Sequence, residues 1–161
     1  TSLVASSSSH SRPAGRWPKP VRSGDVLRPH ENVVLRTAPL DHPDASNGYR
    51  LEYGGRTFAL VSDTEGFPGK CDNDLLSLAD HADLAVYDAT YTEDEIGSRI
   101  GWGHSTWLRG IRLAEKANVK HLCLFHHDPS HDDDFMDKLA AEADDVRAGT
   151  VTAREGQIID L

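Results

Sequence analysis

Apolar and polar positions follow two rhythms along the chain. Val33-Val34-Leu35-Arg36-Thr37-Ala38 is a β-branched run that predicts a strand, and Pro39-Leu40-Asp41-His42-Pro43 ends it in a loop. Residues 48–52 and 57–61 read as two further strands joined across Tyr53-Gly54-Gly55-Arg56, where glycine makes a tight turn easy, so they predict a hairpin. Residues 73–79 form a short helix with Leu75, Leu76 and Leu78 available for burial, and residues 82–87 an apolar strand finishing at Asp88. The period then lengthens: Trp107, Leu108, Ile111 and Ala114 recur at helical spacing behind Ser105, which can cap a helix running to about Ala117. Residues 121–125 predict another strand. Phe135, Met136, Leu139, Ala140, Ala143 and Val146 mark an amphipathic helix behind Asp132-Asp133-Asp134, whose carboxylates favour a helix N-terminus. Residues 157–159 predict a closing strand.

Strands interleaved with helices imply a layered α/β arrangement and not an all-β sandwich. His42, Asp63, Asp88 and His126 each fall at or just beyond the end of a predicted strand. A sheet gathers side chains from distant sequence along such an edge, so this is an active-site layout. Residues 1–24 are rich in Ser, Pro, Arg and Gly and show neither period, which predicts an irregular lead-in and leaves 25–161 as the folded part.

Composition narrows the function. The chain has 161 residues, 38% of them hydrophobic, enough for one core. Its 26 acidic and 17 basic residues give a formal charge of -9, and no Lys/Arg block could follow a phosphate backbone, so nonspecific nucleic-acid binding by this chain is not expected. Carboxylates in excess are compatible with bound divalent cations. Cys71 and Cys123 stand far apart without metal or redox spacing, so no disulfide framework is expected. No apolar run reaches the roughly 20 residues that span a bilayer, and the reading is a cytoplasmic protein without a membrane partner. Met136 is the sole methionine, from which a segment upstream of Thr1 is expected.

The order of the motifs resembles the second half of the metallo-β-lactamase superfamily, nearest the tRNase Z and class II cyclic-nucleotide phosphodiesterase branches. The segments that carry it are Ala38-Pro39-Leu40-Asp41-His42-Pro43, Gly48-Tyr49-Arg50, Ser62-Asp63-Thr64, Tyr87-Asp88-Ala89-Thr90, His104-Ser105-Thr106 and Leu122-Cys123-Leu124-Phe125-His126. The resemblance implies a metallo-β-lactamase-type αββα sandwich with its C-terminal half present. It implies His42, Asp63 and His126 as metal ligands, Asp63 being shared between two divalent ions, zinc or alternatively manganese. Imidazole nitrogen and carboxylate oxygen suit such ions. Asp88 corresponds to the carboxylate of an H-E-A-T box and His104 to the histidine of an H-S-T motif. They are the implied catalytic pair, the carboxylate orienting an imidazole that serves a departing alkoxide. Trp102 and Trp107 flank that histidine and are expected to be core aromatics more than a base-stacking pair.

One signature is absent: the nine histidines include no H-x-H pair, so the H-x-H-x-D-H motif that supplies most ligands in that superfamily is missing. A first half on another polypeptide, or a homodimer, is therefore among the expected partners. The expected activity of the complete protein is hydrolysis of a small phosphodiester such as a cyclic nucleotide. The rivals are a lactone or other ester as substrate, a non-catalytic domain that has lost the motif, and a simple metal-binding patch on His127-Asp128-Pro129-Ser130-His131-Asp132-Asp133-Asp134. That last segment reads better as a capped helix entry.

Overall fold

The computed structural model describes residues 20–161, so most of the predicted lead-in lies outside the described residues. The elements in chain order are β1 (Val26–His30), β2 (Val33–Leu40), β3 (Ser46–Tyr53), β4 (Arg56–Val61), α1 (Asp72–Ala79), β5 (Leu84–Asp88), α2 (Trp107–Lys116), β6 (His121–Phe125), α3 (Asp133–Val146) and β7 (Val151–Thr152), with a short 3-10 turn at Ile96–Ser98. All the strands lie in one sheet in sequence order. β1 to β4 run antiparallel, and β4 to β7 run parallel. The C-terminal ends of β2, β4, β5 and β6 therefore reach the same edge of the sheet.

The hairpin forms as its sequence dictates. Tyr53 pairs with Arg56 across a two-residue loop, and Gly54 and Gly55 both take positive φ, 58° and 77°, as a primed hairpin turn requires. The helices pack on one face of the sheet: α1 against β2, β3 and β4, α2 against β5 and β6 and between the other two helices, and α3 against β7. Ala59, Val61, Ala85, Tyr87, Leu122 and Leu124 face them and join the core with Leu75, Leu78, Ile111, Leu113 and Leu139. The opposite face carries Leu51, Phe58, Leu60 and Val86, which are only partly buried, and no helix among the described residues covers it. One helix-covered sheet is half of the expected αββα sandwich.

Four expectations are corrected. The closing strand is Val151–Thr152, paired with Cys123 and Leu124, and not residues 157–159, where Ile158 is 86% exposed. β1 was not foreseen. Its burial pattern is mostly exposed, so it lacks the alternation that marks a half-buried strand, and Pro29 suits its place at the sheet edge. β2 continues through Pro39 to Leu40. The Thr37 amide points towards the β1 side, donating to the Asp25 carbonyl, so the nitrogen of Pro39 two residues on faces that same side beyond the last pair with β1, where no ladder bond is lost. Finally, Thr106 and not Ser105 caps α2, its hydroxyl accepting from the Arg109 amide, while the Ser105 hydroxyl turns inward to the Tyr87 hydroxyl at 2.9 Å.

Asp83, just before β5, ties this parallel half together. It accepts from the Thr57 amide at 2.8 Å, from Lys120 at 2.6 Å and from Arg56 at 3.2 Å. These partners, Lys120 foremost, hold its carboxyl well below the usual carboxylate range. The folded value being depressed, the stabilisation is complete above the unfolded value of about 3.9 and is lost as pH falls below it. Asp83→Asn is therefore expected to lower the melting temperature at pH 7 and to reduce the further loss between pH 5 and 2. Equal acid sensitivity of the two proteins in thermal melts would contradict this role.

Among the described residues no helix is long and apolar enough to cross a membrane.

Candidate metal and catalytic site

The shared sheet edge brings the five predicted residues together. His42 lies two residues beyond β2, Asp63 two beyond β4, Asp88 ends β5, and His126 follows β6. His104 arrives from the long connection before α2, which a parallel bridge between Tyr91 and Thr106 fastens back on itself.

Asp88 is the hub. It is fully buried, and its Oδ2 accepts from the Asp63 amide at 3.0 Å and lies 3.0 Å from His104 Nδ1. Its Oδ1 accepts from the Thr90 hydroxyl at 2.7 Å and from the Thr90 and Ser105 amides at 3.2 Å. This many donors converging on one buried carboxylate satisfy its hydrogen-bonding capacity. The bond from Asp88 raises the affinity of His104 for its proton above that of an ordinary histidine, outweighing the opposing effect of burial.

The Thr90 hydroxyl also lies 3.0 Å from His126 Nδ1. The Thr90 proton has two acceptors at 2.7 Å, Asp88 Oδ1 and the His126 carbonyl, and whichever takes it, Thr90 can only accept from that nitrogen. His126 then carries its proton on Nδ1 and presents the lone pair of Nε2, which stands 3.4 Å from Asp63 Oδ1. A carboxylate–hydroxyl–imidazole chain of this kind can orient a histidine for metal ligation. His104 and His126 stack at 4.8 Å with an interplanar angle of 21°.

Two groups have donor atoms mutually within 4.8 Å: His42 with Asp63 and His104, and Asp88 with His104 and His126. His104 is the member common to both groups, and Asp63, which belongs to the first, stands 3.4 Å from His126 of the second. The backbone reinforces the reading, because Asp63 and His126 both adopt positive φ, 61° and 62°. A side chain is held in this sparsely populated region where the surroundings demand it, often at a functional site. The donor set and its outer support fit divalent cations. His42 fits least tightly: its Nδ1 accepts from the Asp44 amide at 3.1 Å, so ligation through Nε2 requires that bond to open.

Several contributors were not foreseen. Glu65 accepts from the Gly103 amide at 2.7 Å. Gly103 has φ of 88°, and a Cβ there would overlap the His42 ring, so the His42 and His104 loops meet only at glycine. His131 Nε2 lies 2.9 Å from Glu95, which also accepts from the Thr92 amide and hydroxyl, and its ring stacks on Phe135. Asp132 caps α3 by accepting from the Phe135 amide. The segment from His127 to Asp132 is thus a braced helix entry, and it contributes to neither metal-holding group. Only Thr90 was legible, as the last residue of the Tyr87-Asp88-Ala89-Thr90 segment. Of the flanking aromatics Trp107 is core, whereas Trp102 is 60% exposed, against expectation.

A family model described as the beta-lactamase superfamily domain matches residues 11–127. The chain belongs to this superfamily. Ribonuclease Z of Halalkalibacterium halodurans is 35% identical over 107 residues, which are 66% of this chain and 33% of that protein. Among solved structures, the metallo-beta-lactamase fold protein YhfI from Bacillus subtilis matches with a TM-score of 0.68 at 22% identity, over 85% of this chain and 53% of that one. The Zn(2+)-bound PqqB from Methylobacterium extorquens matches at 0.59 and 18%, over 88% and 55%. The fold is that of the metallo-β-lactamase superfamily, whose members bind divalent metals, and the chain spans only a third to about half the length of these relatives.

Proposed function

We propose that this superfamily chain forms the C-terminal part of a metal-dependent hydrolase acting on small phosphodiesters. The observation that carries the proposal is His104 held by buried Asp88 at 3.0 Å and stacked on His126 beside Asp63. A proton donor there adjoins the groups that would hold the metal. His42, Asp63 and His126 would hold two divalent ions, zinc or manganese, with further ligands from a polypeptide bearing H-x-H-x-D-H. Bound ions of this kind supply a hydroxide at neutral pH by lowering the pKa of water from 15.7 to about 7.

The chain's own residues do the rest. Asp88 keeps the His104 proton on Nδ1 and favours the cationic ring, so that Nε2 can release a proton to the departing alkoxide. Thr90 holds His126 in the tautomer that leaves Nε2 free. The net charge of -9 favours a cyclic nucleotide or similar small phosphodiester over RNA. Both cysteines are free thiols, which suits a cytoplasmic setting. The partly exposed apolar face of the sheet is where the complementary half would pack, and the isolated chain is expected to self-associate through it.

The test is hydrolysis of bis(p-nitrophenyl) phosphate, a 2′,3′-cyclic nucleotide and a lactone by the complete protein, before and after chelation. Chelator-sensitive turnover of the phosphodiesters alone is expected. Metal-independent turnover, or turnover of the lactone alone, would overturn the proposal.

A further inference from the structure

Beyond His42, which forms part of its wall, opens a cavity of about 530 Å³ whose other lining residues have no part in the proposed chemistry. Pro43, Pro68 and Ile100 give it apolar walls, Lys70 stands on it, and Arg109 reaches it from the first turn of α2. Arg109 is half-buried. Its NH1 donates to the Glu65 carbonyl at 2.8 Å, which fixes the guanidinium without neutralising it. No carboxylate among the described residues forms an ion pair with it, although acidic residues outnumber basic ones 26 to 17 in the chain. The Glu65 carboxylate also lines the cavity; it accepts from the Gly103 amide at 2.7 Å and does not come within ion-pair distance of Arg109. Asp41, also on the cavity, is 3.3 Å from the Lys70 ammonium. What remains is one unpaired, pre-oriented cation facing a ligand-sized space that adjoins the site.

A partly desolvated guanidinium is stabilised by an anion that can take its parallel N–H bonds, and a phosphate oxygen pair matches that fork. Of the four charged groups on the cavity, Asp41, Glu65, Lys70 and Arg109, the guanidinium is the cation with no carboxylate at ion-pair distance, and the apolar walls beside it fit a carbon skeleton ending in an anion. We infer that Arg109, with Lys70 beside it, forms a subsite for a second phosphate of the substrate. This inference rests on the phosphodiester reading and narrows it: the substrate carries a terminal phosphate, joined to the cleaved diester by a short organic spacer that lies along Pro43, Pro68 and Ile100.

The probe is inorganic phosphate, titrated into the chain in chelator and followed by phosphorus NMR, so that neither metal nor turnover enters the result. Binding in the millimolar range is expected, weakened at least about tenfold by Arg109→Gln and less by Lys70→Gln. Arg109→Lys keeps the charge and a donor for Glu65 but not the fork, and is expected to bind between the wild type and R109Q. Should R109Q not fold, R109K carries the test through its weaker binding relative to wild type. Absence of binding by about 10 mM phosphate, or equal affinity in the folded variants, would overturn the subsite. Loss of hydrolysis in the metal-dependent assay with phosphate binding intact would instead overturn the phosphodiesterase reading.

Discussion

Asp88→Ala is expected to destabilise the domain by about 3–5 kcal/mol, among the largest effects of any single substitution in this chain. The carboxylate is fully buried, and its removal leaves the Asp63, Thr90 and Ser105 amides and His104 Nδ1 without an acceptor in a space that water does not reach. Each orphaned buried donor costs on the order of 1–3 kcal/mol, with partial relief from relaxation. Asp88→Asn keeps the shape and one acceptor oxygen, so a smaller loss is expected. Urea denaturation of the three proteins gives the comparison. A D88A variant within about 1 kcal/mol of wild type would show that the β4, β5 and α2 loops are held by packing and not by this hub.

His104→Ala in the complete hydrolase is expected to lower kcat by about 10²–10⁴ for a substrate whose leaving group is an alkoxide. For p-nitrophenolate, which departs without protonation, the loss should be under about tenfold, and this contrast separates proton donation from general damage. The pH profile follows from the same pair. Asp88 holds His104 above its ordinary value, so the cationic donor persists to higher pH, and activity falls as pH rises through that raised value. H104A should lack this descending limb. Equal losses on both leaving groups, or an unchanged limb, would show that His104 is not the donor.

The fold was legible where local chemistry decides structure and illegible where distant neighbours do. Gly54-Gly55 fixed the hairpin, and the Asp132 cap fixed the start of α3, because both act within a few residues. β1 and β7 depend on a neighbouring strand for most of their definition. β1 has exposed positions at four of its five residues, and β7 is two residues long. The cluster of His42, Asp63, Asp88, His104 and His126 could be read because each sits at a strand end or in a recognisable motif. Glu65, Glu95 and His131 act across separations of 36 to 38 residues, and nothing local in their sequence announces a partner. Ser105 shows the limit of cap rules: it and Thr106 are both acceptable caps, and a buried tyrosine hydroxyl 18 residues away decides between them.

The left-handed backbone at Asp63 and His126 has an evolutionary consequence. Glycine or asparagine would occupy either position with less conformational penalty, so a lineage selected for heat resistance alone would tend to discard these two side chains early. Their persistence in any descendant of this chain is thus a record of selection for chemistry, and their replacement by glycine would mark the descendants in which the fold outlived its reaction.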